Sequence, residues 1–504
     1  MIPLLFGVTA LAAFQLNTDI FWLDEEFSIF MSGGAQFGPV SFLEIIVRVG
    51  DHAWPPLHNL MLVGWSWLFG WSAFATRLMS LYFGLLTIAM LYRVGTDLHS
   101  RQVGLVTALL GGSSAFLIHY MHEGRGYTLY AFLTLVGVWA YWRLVTGPMG
   151  KRARPVQMLF LLSMVAMLYT HYIAATLPAM LALHHLLFVP RSKRWHQIFR
   201  LFFYALILFI PWSLIAILAV RAESTVTRGL GAFEAIQASL YGYSNGLWFL
   251  LLALLVYLAL TVRHKHLRLI GFWLGATFVM ALIFNIFTEF LFHIRHIIVI
   301  LPPVLLLLAI AIVTLSRRRR WLGVGLTGVW IIAGAWGYLG DDFIMALPGQ
   351  EDTLPRAPMH AAFDLLENCA ASDDAAVFYV KPPASEGVLN RVLRYYLVDA
   401  PPPYAQLNTM GDLSAAENPA TSGDYPQRVR DFIEPAAQVW YVQLESLPTV
   451  EQQTTFQSAV QRQYDRCFTL NTHDDLTSRL YTDDLDTGTC TLDLTPCTEL
   501  PDDE

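Results

Sequence analysis

Charged side chains are scarce in this 504-residue chain. They make up 14% of it, against 55% hydrophobic residues and a mean hydropathy of +0.47. Soluble globular proteins carry about 25% charged residues, so the deficit excludes an ordinary soluble enzyme. A solvated basic face is missing too: Lys and Arg lie between apolar runs, which argues against a nucleic-acid partner. Cysteine is absent from the first 340 residues, and no short internal repeat or low-complexity tract occurs.

What is present divides sharply. Residues 1–340 hold 23 Lys+Arg against 11 Asp+Glu, and residues 341–504 hold 9 against 28. The pattern predicts a polytopic α-helical membrane domain over 1–340 and an acidic, soluble α/β domain over 341–504. A crossing helix needs about 20 mostly apolar residues. Such runs lie near 2–16, 76–95, 103–120, 127–146, 156–171, 173–189, 198–220, 246–262, 268–289, 295–315 and 321–339, giving about 11 transmembrane helices. The apolar run 156–189 is split in two because basic segments flank both of its ends. Residues 10–12 (Ala-Leu-Ala) resemble a signal-peptide cleavage site, but no basic residue precedes the run, so it is read as the first span.

Five basic clusters hold 16 of the 23 cations: Arg93 and Arg101; Lys151, Arg152 and Arg154; Arg191, Lys193, Arg194 and Arg200; Arg263, Lys265 and Arg268; Arg317 to Arg320. Eleven spans from a cytoplasmic N-terminus require five inner loops. The positive-inside rule therefore puts the N-terminus inside and the C-terminal domain outside a cell membrane. Of the 11 acidic residues in this block, only Asp97 falls on the inner side. The Trp-rich stretch 54–71 has no room to cross and reads as a helix lying in the outer interface.

The soluble domain begins with a linker holding Pro348, Pro355 and Pro358. A helix near 357–370, a strand at 375–381, a helix near 384–397, a strand at 438–443 and a helix near 449–463 suggest a small α/β layer. Pro401 to Pro403, residues 410–426 and the tail from Asp502 read as loops. No phosphate loop or nucleophile motif is present there, so binding or support is the expected role. Cys369, Cys467, Cys490 and Cys497 all lie in this domain. Their even number fits two disulfides in an extracytoplasmic compartment, with three connectivities open, or four buried thiols.

Chemistry-bearing residues gather at the outer ends of the spans. Asp24, Glu25 and Glu26 follow Phe21 and Trp22 in the first outer loop. Crowded carboxylates raise one another's pKa and suit a general base; a solvated loop start or a helix cap is the other reading. The second outer loop holds His119, His122, Glu123, Arg125 and Tyr127. An acid and an arginine between apolar spans either pair structurally or serve a site. Asp51, His52 and His58 lead into the interfacial helix, His171 lies where the fifth span emerges, and His293, Arg295 and His296 precede the tenth. Histidines three apart share a helix face, so His119/His122 and His293/His296 could form a divalent-metal site with a carboxylate, with Glu123, His122 and His296 the candidates, or be polar groups satisfied at an interface. Arg295, a fixed cation at the mouth of a span, suits a lipid phosphate.

The order of these motifs resembles the GT-C glycosyltransferases. It runs from Leu23-Asp24-Glu25 through Asp51…Pro55-Pro56-Leu57, Leu68-Phe69-Gly70 and Arg77-Leu78-Met79-Ser80 to Glu123-Gly124-Arg125-Gly126-Tyr127. Thr170-His171-Tyr172 and Arg295-His296 before Leu301-Pro302 extend the likeness, which covers roughly residues 15–315. The branch it resembles contains protein O-mannosyltransferases, lipid A aminoarabinose transferases and related lipopolysaccharide sugar transferases. His58 and His296 stand where that pattern usually has Tyr.

The resemblance implies an inverting transfer from a polyprenyl- or dolichyl-phosphate sugar to a lipid, glycan or protein acceptor on the outer face. In it Asp24 is the general base with Glu25 beside it. Glu123 is linked to metal or acceptor positioning, and Arg125 and Arg295 hold the donor phosphate. Asp51, His58 and His171 join the substrate contacts. Two other classes remain: a flippase of lipid-linked glycans, which calls for broken midplane helices and a two-half repeat, and a non-catalytic assembly subunit on the same scaffold.

Overall fold

The computed structural model describes residues 2–13, 16, 21, 23–51, 54–148, 150, 153–220, 230–262, 265–288, 293–339, 343, 347, 363, 365–367, 369–380, 403–407, 425–444, 450–473, 476–483 and 494–497. The expected linker prolines, the helix near 384–397, residues 410–424, Cys490 and the tail from Asp502 lie outside these residues, as do Trp22, His52, Lys151, Arg152 and Arg263. The chain divides into two compact units. One comprises Met1–Asn17, Met31–Gly33 and Val40–Asp352; the other comprises Thr18–Phe30, Gly34–Pro39 and Thr353–Glu504.

The helices run in chain order as α1 (Ile2–Ala13), α2 (Leu23–Ser32), α3 (Phe42–Asp51), α4 (Leu57–Phe69), α5 (Ala73–Leu98), α6 (Arg101–Gly112), α7 (Ala115–Met121) and α8 (Tyr127–Thr146). They continue as α9 (Arg154–Leu168), α10 (Thr176–Phe188), α11 (Lys193–Val220), α12 (Ala232–Gly242), α13 (Trp248–Thr261), α14 (Lys265–Thr288), α15 (Leu301–Arg318) and α16 (Arg320–Leu339). Short 3-10 helices at Tyr172–Ala175 and Ile294–Ile300 lead into α10 and α15. Among the described residues, six helices are long and apolar enough to cross a membrane, or seven if the bent pair α6–α7 is one span. Four shorter apolar helices accompany them.

Packing follows from side-chain size. Gly95 of α5 and Gly104 of α6 meet face to face: a Cβ on Gly95 would lie 2.9 Å from the Gly104 Cα. Small residues at such crossings let two backbones approach where lipid offers no hydrophobic drive. From Leu301 to Val313 every residue of α15 is buried, as a helix apolar on all sides should be. Pro302 and Pro303 open it, where the missing N–H groups cost no helical bond.

The stretch 103–120, expected as one straight span, is instead α6 and α7 joined with a bend of 61°. Ser113 and Ser114 stand in the break, and Ser114 caps α7 through its hydroxyl. In α4 the chain follows the expected interfacial segment, with Pro56 at its N-cap and Trp67 83% exposed at its far end.

The second unit carries a six-stranded mixed sheet with strand order β2-β1-β3-β5-β4-β6. Its strands are β1 (Ala375–Val380), β2 (Tyr404–Gln406), β3 (Gln438–Leu444), β4 (Arg466–His473), β5 (Leu476–Thr482) and β6 (Leu494–Pro496). β1 is parallel to β2 and β3, with Val377 opposite Tyr441; β3–β5, β5–β4 and β4–β6 are antiparallel. Helices α17 (Tyr425–Ile433) and α18 (Val450–Gln463) pack their apolar faces on Val377, Tyr441 and Tyr481. The three antiparallel strands were not expected, and α17 begins inside the stretch read as loop. Cys467 and Cys497 form a disulfide joining β4 to the end of β6, and Cys369 is also disulfide-bonded.

Candidate functional site

The loop between α7 and α8 carries Glu123 and Arg125, both buried. Three contacts fix its backbone. His58 Nε2 donates to the Gly124 carbonyl at 3.1 Å, Ser80 Oγ donates to the Arg125 carbonyl at 3.1 Å, and the Arg125 N–H donates to the Glu123 carbonyl at 2.7 Å. A Cβ on Gly126 would press on His58 Cβ at 3.3 Å and Thr170 Cγ2 at 3.4 Å, so a small residue is needed for this close approach. The Leu57 N–H donates to the Tyr169 carbonyl at 2.8 Å, joining the start of α4 to the turn that holds His171. The Arg125 guanidinium lies over the Trp54 ring at 4.3 Å, a cation–π contact. Glu123 Oε1 is 3.2 Å from His119 Nε2, one helical turn back.

His171 caps the short helix Tyr172–Ala175. Its Nδ1 accepts from the Ile173 N–H at 3.3 Å, which leaves the neutral ring's proton on Nε2. The ring stacks on Tyr130 at 5.7 Å and lies 5.2 Å from His296. Arg295 sits over Tyr127 at 5.5 Å, and Tyr127 is 6.4 Å from His171 and 6.3 Å from His296.

The imidazoles here are held neutral. Burial, then the charges of Arg125 and Arg295, push His171 down to about 3. Burial and Arg125 bring His58 to about 3 against its bond to Gly124. His293 is brought to about 3 by burial and Arg295, with Glu123 opposing. Two buried guanidinium groups thus lie among imidazole and phenol rings, with the buried Glu123 carboxylate in the same loop. Buried guanidinium groups of this kind suit a phosphate oxygen.

Other expected site residues fall elsewhere. Asp51 is the last residue of α3, exposed, on the stretch that leads to α4. His122 faces α1: its Nε2 donates to the Ala12 carbonyl at 2.7 Å. Tyr338 donates to the Leu11 carbonyl at 3.4 Å and Arg77 to the Leu16 carbonyl at 3.1 Å. His122 and Tyr338 satisfy carbonyls that the end of α1 leaves open, and Arg77 meets a carbonyl three residues beyond it. His122 is thus turned to α1, and His296 lies among the rings of His171, Tyr127 and His293. Among the described residues no group of three His, Cys, Asp or Glu side chains could hold a metal ion. Arg77 was read only as a motif residue; an arginine amid the apolar run 73–98 was the signal for its structural task.

Asp24, Glu25 and Glu26 occupy the first turn of α2, where acids complement the helix dipole. Glu25 and Glu26 are fully buried and Asp24 partly so, which removes the solvated-loop reading for the first two. The Asp24 carbonyl accepts from Ser28 Oγ at 2.9 Å. These three residues belong to the second unit.

No protein-family model matches the chain, and no curated protein does. Solved structures do. The apo crystal structure of ArnT from Cupriavidus metallidurans is similar with a TM-score of 0.57 and 15% identity, covering 96% of this chain and 98% of that one. The structure of the same protein bound to undecaprenyl phosphate gives 0.56 and 16%, covering 97% and 99%. The mycobacterial arabinofuranosyltransferase AftD gives 0.51 and 13%, covering 96% of this chain and 41% of that one. The chain thus has the fold of the GT-C membrane glycosyltransferases, as its motif order implied.

Proposed function

We propose that this protein is an inverting glycosyltransferase that moves a hexosyl or pentosyl group from a polyprenyl-phosphate donor to a hydroxyl of a lipid, glycan or protein. The observation that carries the reading is the pair of buried arginines, Arg125 and Arg295, whose charges both act on His171. The likeness to an ArnT structure bound to undecaprenyl phosphate supports the same ligand class. In this reading the eleven apolar helical stretches all cross the plasma membrane, six long, one bent and four short. The N-terminus is cytoplasmic and the C-terminal unit, over 341–504, extracytoplasmic.

The reaction joins the acceptor oxygen to the anomeric carbon while the bond from that carbon to the phosphate oxygen breaks. Asp24 takes the acceptor proton, aided by the neighbouring Glu25. The leaving phosphate keeps the electron pair and gains negative charge, which Arg125 and Arg295 stabilise. His58 and His171 hold the wall around them without adding charge. Glu123 orients the loop through His119 and faces the acceptor.

The test offers the purified protein a panel of polyprenyl-phosphate sugars with mixed acceptors and measures free polyprenyl phosphate by mass spectrometry. Wild type releases it, and Asp24→Asn does so about 1,000-fold more slowly, within the range of lost base catalysis. Equal release by both removes Asp24 from the mechanism. Donor bound tightly by both but consumed by neither points to a carrier or an inactive scaffold.

A further inference from the structure

The turn after α12 touches both segments that carry the arginines. Tyr243, 1% exposed, donates its hydroxyl to the Ile294 carbonyl at 2.7 Å, on the residue directly before Arg295. Two residues on, Asn245 reaches the bend between α6 and α7. Its Oδ1 accepts from the Ala115 N–H at 3.0 Å, and its Nδ2 donates to the Ser113 carbonyl at 3.0 Å and the Trp330 carbonyl at 3.4 Å. One side chain thereby supplies the partners that a broken helix lacks on both sides of the break.

The turn is built for these contacts. Asn245 has φ of +52° and Gly246 +79°, a conformation that Asn and Gly tolerate best. A Cβ on Gly242 would lie 2.7 Å from Ile294 Cδ1, and one on Gly334 would collide with the Ser113 carbonyl. Tyr243 meets Phe116 of α7 edge to face at 4.9 Å. Trp330 Nε1 donates to the Leu110 carbonyl at 2.9 Å, backing the same bend from α16.

We infer that Tyr243 and Asn245 are positioning residues that set the separation of Arg125 and Arg295, and so tune the site to the span of one phosphate. Asn245 fixes the direction in which α7 leaves the bend toward Glu123 and Arg125; Tyr243 fixes the backbone from which Arg295 projects. The inference rests on the reading of those arginines as phosphate holders.

The experiment compares binding of undecaprenyl phosphate with binding of undecaprenol, its uncharged alcohol, to the full chain in detergent. Tyr243→Phe removes one oxygen, and Asn245→Gly removes the side chain while keeping the positive φ accessible. Each variant is expected to bind the phosphate about fivefold to tenfold more weakly, the scale of one buried hydrogen bond, with undecaprenol binding unchanged. General loosening of the fold would weaken both ligands together and would overturn the inference. So would a wild-type preference for phosphate kept in full by both variants. A wild type with no preference sinks the functional reading and this one with it. Should Asn245→Gly fail to fold, Tyr243→Phe carries the same outcomes alone.

Discussion

Helix α8 begins and ends in polar clusters that use similar residues to opposite effect. At its end, near Thr146, groups are matched within the chain. Trp139 Nε1 donates to Asp97 Oδ2 at 2.8 Å, and Arg93 Nε lies 3.1 Å from the same oxygen. Arg194 donates to the Val145 carbonyl at 2.7 Å and the Gly147 carbonyl at 2.8 Å. His185 and Trp195 exchange ring and backbone hydrogen bonds at 3.1 and 3.2 Å. At its start, near Tyr127, the guanidinium groups of Arg125 and Arg295 lie over aromatic rings, and burial, then those two charges, push His171 toward its neutral form. The first cluster seals a helix terminus; the second buries two arginines and Glu123 among aromatic and imidazole rings. Polarity inside a membrane protein therefore has to be read with its partners before it is read as function.

The contrast can be broken most decisively at the starting cluster. Arg295→Ala is expected to weaken undecaprenyl phosphate binding about 100-fold, the upper scale for a charged hydrogen bond, measured by native mass spectrometry, with little change in melting temperature. A smaller loss than for Arg194→Ala would reverse the two roles.

Acid acts on the starting cluster too. His58 and His171, lowered to about 3, sit below their unfolded value of 6.5. Between those limits the unfolded chain binds protons that the folded chain refuses. Their contribution to stability is therefore constant above pH 6.5 and is lost as the pH drops toward 3. His58→Gln, which keeps a donor for the Gly124 carbonyl, should flatten part of that fall in a melting-temperature series; an unchanged slope would remove His58 from it.

At the other end, Arg194→Ala strands two carbonyls at the close of α8. The expected cost is about 1–3 kcal/mol of stability, with ligand affinity of the folded protein intact. Asp97→Asn is the mildest change. Arg93 is half exposed, so losing that ion pair should cost under about 1 kcal/mol in the same melting assay.

Much of this was legible in the sequence because apolar runs and basic clusters are one-dimensional signals. The long stretches 127–146 and 321–339 coincide with helices Tyr127–Thr146 and Arg320–Leu339. The break in 103–120 was not legible: Gly111, Gly112, Ser113 and Ser114 are small and polar enough to bend, but what bends them is Asn245, far along the chain. Asn245-Gly246 itself is a turn signal that could have been marked. The sheet was half read for a similar reason. β1 and β3 are apolar runs buried on both faces, whereas Arg466, Thr469 and Asn471 in β4 interrupt any run. His122 looked like a ligand because spacing along the chain does not reveal that a neighbouring helix end needs a donor.

Two helices of similar apolar character lead different lives. α15 is 94% buried over its most apolar window, and α11 only 17%. A photoreactive lipid should therefore label α11 heavily and leave α15 blank. Substitutions divide the same way. Exchanging Leu214 or Leu218 for Ile leaves the bilayer an equally good solvent, because a fluid reshapes itself around either. Leu305 and Ile310 have only fixed neighbours, and shortening either by a methylene opens a void that nothing flows in to fill. Along α11 the surrounding lipid does the adapting; along α15, the genome must.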